Sequence, residues 1–218
     1  MIAAEKWWGI LEAYNLAIFP MQIVMITLGA ILTVALFVRP GPKTNIIMKA
    51  YLAVSFAWIG VVFFLILGKG LPARYLQACL FITIAVLFAV DLFRGKIEFK
   101  RPEFGWKTFL AACLLLITFL YPVVGMLVGH YYPKMIVAGT FPCPTTALAL
   151  VLLVVAIPKA DRMVYILLLI WAVPFPIFVQ IPKFGVYEDS IMLGIGIYSL
   201  IMLIKNWKLI GKERAPAP

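Results

Sequence analysis

The sequence is poor in charged residues, histidine and cysteine. Only 13% of its 218 residues are charged, where a soluble domain has about 25%, and it has one histidine and three cysteines. A single histidine excludes metal sites built from several histidines and haem held by two. Cysteines without a Cys-x-x-Cys spacing argue against a zinc cluster or a disulfide scaffold. The last apolar run has no lysine before Lys205 to hold retinal, and no P-loop is present, so we expect no cofactor and no ATP chemistry. Gly-x-Ser-x-Gly and intramembrane-protease motifs are also missing.

What the chain has instead is long apolar runs. Hydrophobic residues make up 65% of the sequence, and a bilayer span needs roughly 20 of them. Unbroken runs, without the alternation of a barrel strand, indicate helices. The sequence therefore predicts an all-α polytopic membrane protein, one domain over 1–218 with seven transmembrane helices. The predicted spans are 16–38, 46–68, 72–93, 107–129, 140–157, 163–181 and 189–204.

The basic residues predict the orientation of these spans. Of the 19 lysines and arginines, fourteen lie on one side and five on the side of the N-terminus. Because positive loops stay in the cytoplasm, we expect the N-terminus outside, a cytoplasmic tail over 205–218, and the cytoplasmic membrane as the location. The net charge of +10 then reflects topology and not nucleic-acid binding.

The first fifteen residues predict a short amphipathic helix on the outer surface. Trp7, Trp8, Leu11 and Tyr14 recur at helical spacing, as in interfacial helices. Such a helix serves either as an anchor or as a lid over an outer pocket.

Aromatic positions recur in the two halves of the chain. Phe19-Pro20 corresponds to Phe141-Pro142 at the start of a span, and Trp58 corresponds to Trp171 in the middle of one. This spacing suggests two parallel three-span halves joined by span four, a 3+1+3 repeat.

Polar residues inside a membrane tend to be functional, and here most of them lie towards the outer side. The segment Pro142-Cys143-Pro144 should hold Cys143 on irregular backbone, with Thr145 and Thr146 in the first helical turn. This pattern favours a small anion, a polar solute or a soft metal. Alternatively, the prolines only start a helix that Thr145 caps. The predicted site residues are Asn15, Gln22, Tyr121, His130, Cys143, Thr145, Thr146, Glu188 and Asp189.

Cys143 and His130 are also the candidates for a metal site or a thiolate–imidazolium pair. Alternatively, His130 only anchors its helix end at the membrane interface. Glu188 and Asp189 either cap the last helix or attract cations to an outer vestibule. We expect Cys143 to be the cysteine most reactive towards an impermeant reagent, since a helix N-terminus stabilises a thiolate that water can reach. Cys79 should react slowly, and Cys113 should be buried.

At the cytoplasmic end, Asp91 and Arg94 are three residues apart on one span and should pair with each other. The basic stretch from Arg94 to Lys107 predicts contact with anionic lipid.

Several short patterns together resemble an uncharacterised family of bacterial and archaeal multispan membrane proteins, known only as a domain of unknown function. The most specific is Phe141-Pro-Cys-Pro-Thr-Thr146. The resemblance implies a similar seven-span protein and brings no activity with it. The other matching patterns are Tyr14-Asn15, Phe19-Pro20-x-Gln22, Trp58-x-Gly60, Tyr121-Pro122-x-x-Gly125, Gly129-His130-x-Tyr132-Pro133 and Val186-x-Glu188-Asp189.

Three functions are compatible with these features. The first is a small-solute or ion transporter, or a channel-like protein, with an outward-facing pocket at the Pro-Cys-Pro-Thr-Thr segment. The second is a sensor or assembly subunit that binds a partner protein or lipid. The third is a thiol-dependent membrane enzyme using Cys143 and His130, although we do not expect enzymatic activity.

Overall fold

A computed structural model of the chain describes residues 3–99 and 105–210, and these residues form helices and no strand. The all-α prediction is confirmed for this part of the chain. The end of the predicted tail, 211–218, and part of the basic stretch, 100–104, lie outside the described residues.

The helices are α1 Ala4–Ala17, α2 Met21–Val38, α3 Pro42–Trp58 with a π-helical continuation Ile59–Leu67, α4 Arg74–Arg94, α5 Trp106–Phe119, α6 Tyr121–Leu127, α7 Pro142–Ala156, α8 Arg162–Ala172 with a π-helical turn Pro176–Gln180, α9 Ile181–Phe184 and α10 Asp189–Lys205.

Several helices are long and apolar enough to cross a membrane. Within the described residues there are four: Met21–Val38, Pro42–Leu67, Arg74–Arg94 and Arg162–Phe184. The pair α5 and α6 makes a fifth if it counts as one span, bent by 59° where Pro122 interrupts the helix. The helices α7 and α10 have only 15 and 17 residues. The chain is thus consistent with a membrane protein of four to five clear spans.

The short helix α7 forms the centre of the fold. Thirteen of its 15 residues are buried, and it packs against α3, α5, α8 and α10. Its sequence is apolar on every face because protein surrounds it on every face. This arrangement places the N-terminal turn of α7, with Cys143, inside the protein and away from the lipid.

The N-terminal helix α1 packs on the protein rather than standing free. Its Trp7, Leu11 and Tyr14 side chains are buried, and the helix contacts α9 and the segment Ile59–Leu67. The Trp8 indole N–H donates a hydrogen bond of 2.9 Å to the Phe184 carbonyl. The predicted helical spacing of this segment is therefore confirmed, and its buried side covers the ends of neighbouring helices.

Candidate functional site

The Pro142–Thr146 segment begins a regular helix, so the prediction of irregular backbone at Cys143 is wrong. Helix α7 starts at Pro142, directly after the extended residue Phe141. The first turn of a helix has backbone N–H groups without helical partners, so two prolines there remove no hydrogen bond. Cys143 therefore sits on helical backbone in this turn.

The two threonines of the segment have different roles. Thr145 Oγ1 donates to the Phe141 carbonyl at 2.6 Å and accepts from the Gly139 N–H at 2.8 Å, so it fixes the loop that leads into α7. The alternative that Thr145 caps the helix is wrong, because Phe141 occupies the capping position. Thr146 Oγ1 is buried and has no hydrogen-bond partner in the described part of the chain.

A buried polar cluster surrounds Cys143. The Tyr121 hydroxyl donates a 2.7 Å hydrogen bond to Asp189 Oδ1, and both side chains are fully buried. The Cys143 thiol lies beside the Asp189 carboxyl group and the Trp171 indole. Neither Asp189 Oδ2 nor Trp171 Nε1 has a hydrogen-bond partner of good geometry among the described residues. The buried Asp189 carboxyl group thus has one hydrogen bond of good geometry, from Tyr121, with the Cys143 thiol beside it.

His130 and Glu188 form a second polar pair next to this cluster. His130 Nδ1 lies 2.9 Å from both Oε1 and Oε2 of Glu188, whose side chain is 1% exposed. The Trp8 indole covers the imidazole, with the ring centroids 4.1 Å apart. The expectation that the Glu188 side chain caps α10 is wrong. This side chain makes no capping hydrogen bond, and its carboxyl group contacts His130 instead.

Cys143 and His130, the two candidates for a metal site, lie against different partners. His130 lies against Glu188 and Trp8, whereas Cys143 lies beside Asp189 and Trp171. Residues 3–99 and 105–210 contain no group of three or more His, Cys, Asp and Glu side chains placed to hold a metal ion.

Asn15 and Gln22 lie elsewhere and stabilise a loop. The Asn15 side-chain amide donates to the carbonyls of Pro133 and Met135 at 2.6 and 2.7 Å. Gln22 Nε2 donates in turn to the Asn15 carbonyl at 2.6 Å. Both residues border a cleft of about 280 Å³ that is otherwise lined by apolar side chains. They therefore hold the segment after His130 in place.

The predicted open pocket at Cys143 is closed in this structure. Tyr121, Cys143, Thr145 and Thr146 are each fully buried. The expectation that water reaches Cys143 is therefore wrong. Cys79 and Cys113 are instead the exposed cysteines, which also corrects the expected burial of Cys113.

The loop before α7 is fixed by a hydrogen-bonded cluster that the sequence did not reveal. The Tyr14 hydroxyl donates to the Thr140 carbonyl at 2.6 Å and accepts from the Trp58 indole N–H at 3.0 Å. Gly139 has a φ of +92°, and a Cβ there would lie 2.7 Å from the Tyr51 hydroxyl. Only glycine allows the loop to pass this close to α3.

A buried ion pair at the other end of the bundle was also missed. Lys49 Nζ on α3 lies 2.9 Å from Asp91 Oδ2 on α4, and the two side chains are 4% and 6% exposed. Asp91 also accepts hydrogen bonds from the backbone N–H groups of Lys96 and Ile97. The predicted Asp91–Arg94 pair is wrong, because Asp91 turns towards α3 instead.

Comparison with known proteins identifies the family and no activity. No curated protein and no solved structure matches the chain significantly. Residues 4–214 match DUF6064, described as a family of unknown function. The match covers nearly the whole chain, including every residue of the polar clusters around Cys143 and His130. The chain therefore belongs to the DUF6064 family of unknown function.

Proposed function

We propose that this chain is a seven-span membrane transport protein that moves protons, with the Glu188–Asp189 pair as the group that takes up and releases the proton. The observation that carries the proposal is the fully buried Asp189 carboxyl group, whose Oδ2 has no hydrogen-bond partner among the described residues. An ionised carboxylate that has neutral hydrogen-bond donors but no cation beside it is still costly in such a place. Binding a proton removes that cost.

The neighbouring His130–Glu188 pair supplies a route for the proton. Glu188 directly precedes Asp189, and the His130 side chain is 15% exposed while that of Glu188 is 1% exposed. The imidazole is therefore the most exposed part of the cluster, and its ring nitrogens can both donate and accept hydrogen bonds. Trp8 on α1 lies over this imidazole, so α1 acts as a lid on the entrance.

Two further buried hydroxyls without partners lie on α7 and α10. Thr146 is three residues after Cys143, so it lies near the face of α7 that meets Asp189. Ser199 is ten residues after Asp189, which turns it about 80° away from Asp189 around the buried side of α10. The hydroxyl oxygens of Thr146 and Ser199 have no partner in the described part of the chain. Buried hydroxyls of this kind usually bind water, and a water at Thr146 would extend the polar cluster by about one helical turn.

The charge of the cluster favours a proton over the anion suggested by the sequence. The N-terminal turn of α7 attracts negative charge, but the Asp189 carboxyl group already lies there beside Cys143. Glu188 adds a second carboxyl group, and the His130 imidazole lies against it. A further anion would meet two carboxyl groups, whereas a proton neutralises one of them.

We place seven segments across the membrane, with α1 and His130 outside. These segments are α2, α3 with its continuation Ile59–Leu67, α4, α5 with α6, α7, α8 with α9, and α10. At 15 and 17 residues, α7 and α10 are the shortest of these seven segments, but α7 is surrounded by protein and need not match the lipid thickness. The excess of basic residues on the opposite side supports this orientation.

The test is proton flux through the full chain in liposomes. A potassium diffusion potential drives protons inwards, and an enclosed pH-sensitive dye reports them. The wild-type chain should acidify the lumen faster than protein-free liposomes do. Asp189→Asn, which keeps size and hydrogen bonding, should reduce the rate to that of empty liposomes.

The matched control is Glu5→Gln, which removes an exposed carboxyl group from α1 and should leave the rate unchanged. Equal rates for wild-type protein and Asp189→Asn would contradict the proposal. So would a wild-type rate no greater than that of empty liposomes.

A further inference from the structure

A basic cleft lies at the end of the helices opposite to Asp189. It is formed where α4 ends and where the turn from α7 enters α8, and it encloses about 570 Å³. Arg162 at this cleft donates a 2.6 Å hydrogen bond to the Trp207 carbonyl, just after the end of α10. Since α10 has 17 residues, this cleft and Asp189 are about 25 Å apart along it.

The charges of the cleft suit a ligand with a phosphate group. Its lining includes Arg94, Lys96, Lys159 and Arg162 against one carboxylate, Asp161. That carboxylate caps the N-terminus of α8, because Asp161 Oδ1 accepts hydrogen bonds from the N–H groups of Met163 and Val164 at 2.8 and 3.2 Å. Because Lys96 lies near Asp161 and Lys159 pairs with Glu98, the two arginines are the lining cations left without an ion pair among the described residues.

The two arginines are the groups best placed to hold such a ligand. Arg162 is fixed by its hydrogen bond to Trp207 and by stacking over that indole, 4.8 Å from the ring centroid. Its Nε is buried and has no partner among the described residues. The Arg94 side chain makes no hydrogen bond or ion pair with the described part of the chain. By contrast, Lys159 pairs with Glu98, and Lys96 lies 4.0 Å from Asp161.

Exposed apolar side chains border the cleft and favour a lipid over a free ion. Phe93, next to Arg94, is 92% exposed, and Met163 in the cleft wall is 58% exposed. A helix end with such side chains beside arginines is typical of the boundary between acyl chains and head groups. The cleft is also far larger than the ~30 Å³ share of one water molecule, so it has room for a head group.

We infer that this cleft binds the phosphate group of an anionic glycerophospholipid, with Arg94 and Arg162 as its ligands and the acyl chains beside Phe93. The inference does not depend on the proposed proton transport. It assigns the predicted attraction of anionic lipid to a defined site instead of to the basic loops in general.

The test is binding of short-chain lipids to the full chain in nonionic detergent at fixed ionic strength. Dioctanoyl phosphatidylglycerol should bind saturably and raise the midpoint of thermal unfolding. Arg94→Gln should weaken this binding about fivefold, as expected for one arginine near a phosphate. The matched control Arg39→Gln, which removes an exposed arginine outside the cleft, should leave the binding unchanged.

Two further ligands separate a lipid from other sources of the same chemistry. Dioctanoyl phosphatidylcholine, which has no net charge, should bind much more weakly than phosphatidylglycerol. Inorganic phosphate that bound as tightly as the anionic lipid would overturn the lipid assignment. Equal weakening by Arg94→Gln and Arg39→Gln would show that the lipid does not bind at the cleft and is attracted only by the general positive charge of this side.

Discussion

His130 Nδ1 lies 2.9 Å from both carboxyl oxygens of Glu188, across 58 residues of sequence. The geometry allows one N–H proton to be shared between the two oxygens. Trp8 packs on the other side of the imidazole, so the pair is held between α1 and α10. This contact connects the accessible edge of the polar cluster with the buried Asp189.

The His130–Glu188 contact should stabilise the fold as a pair. His130→Gln leaves the Glu188 carboxylate buried with a poorer partner, which should cost about 1–3 kcal/mol. In a Glu188→Gln background the same change should cost less, because no buried charge is left behind. Thermal unfolding of the four proteins in detergent measures this coupling, and strictly additive effects would show that the two side chains do not interact.

The buried Lys49–Asp91 pair should be far more sensitive than a surface lysine. Lys49→Met leaves an uncompensated carboxylate between α3 and α4, which should cost about 3–5 kcal/mol. The control is Lys43→Met, the same change at an exposed position near the start of α3, which should alter stability little. Similar unfolding midpoints for the two variants would contradict the ion pair.

Gly139 should not tolerate a side chain. Its φ of +92° costs an alanine about 1–2 kcal/mol, and the new Cβ would meet Met25 at 2.8 Å. Gly9 offers the same substitution with nothing within 4 Å, inside helix α1. Gly139→Ala should therefore lower the unfolding midpoint, whereas Gly9→Ala should raise it slightly. An equal response at both sites would exclude the close packing of the loop before α7.

The three cysteines should differ in access. Cys79 and Cys113 are exposed on α4 and α5, and Cys143 is buried. With N-ethylmaleimide, which enters bilayers, mass spectrometry should find two modified thiols in the native protein and three after denaturation. Cys143→Ala should leave the native number unchanged and lower the denatured number to two. Rapid modification of native Cys143 would show that the site opens to its surroundings.

The apolar runs predicted the positions of the helices well, because every run overlaps a helix of the structure. They could not show which helix lies at the centre. Lipid tails are about as apolar as leucine, so a sequence such as that of α7 reads the same in lipid and in protein. The all-round burial of α7 is visible only once α3, α5, α8 and α10 are packed around it.

The polar residues were predicted individually but not as partners. His130, Glu188, Tyr121 and Asp189 were all candidates from the sequence, yet their pairing depends on contacts 58 and 68 residues apart. The prediction that Asp91 pairs with Arg94 was wrong for the same reason, since the true partner lies far away in the sequence. Asp91 had Arg94 within reach on its own helix, but Lys49 on α3 offered a partner in a buried position.

The most direct test of the account is whether Asp189 itself binds and releases a proton. Infrared difference spectra of the reconstituted full chain between about pH 5 and pH 8 report protonated carboxyl groups through their C=O stretching band. We expect a band that disappears in Asp189→Asn and persists in the exposed control Glu5→Gln. An unchanged difference spectrum in Asp189→Asn would contradict proton uptake at Asp189 and with it the proposed function.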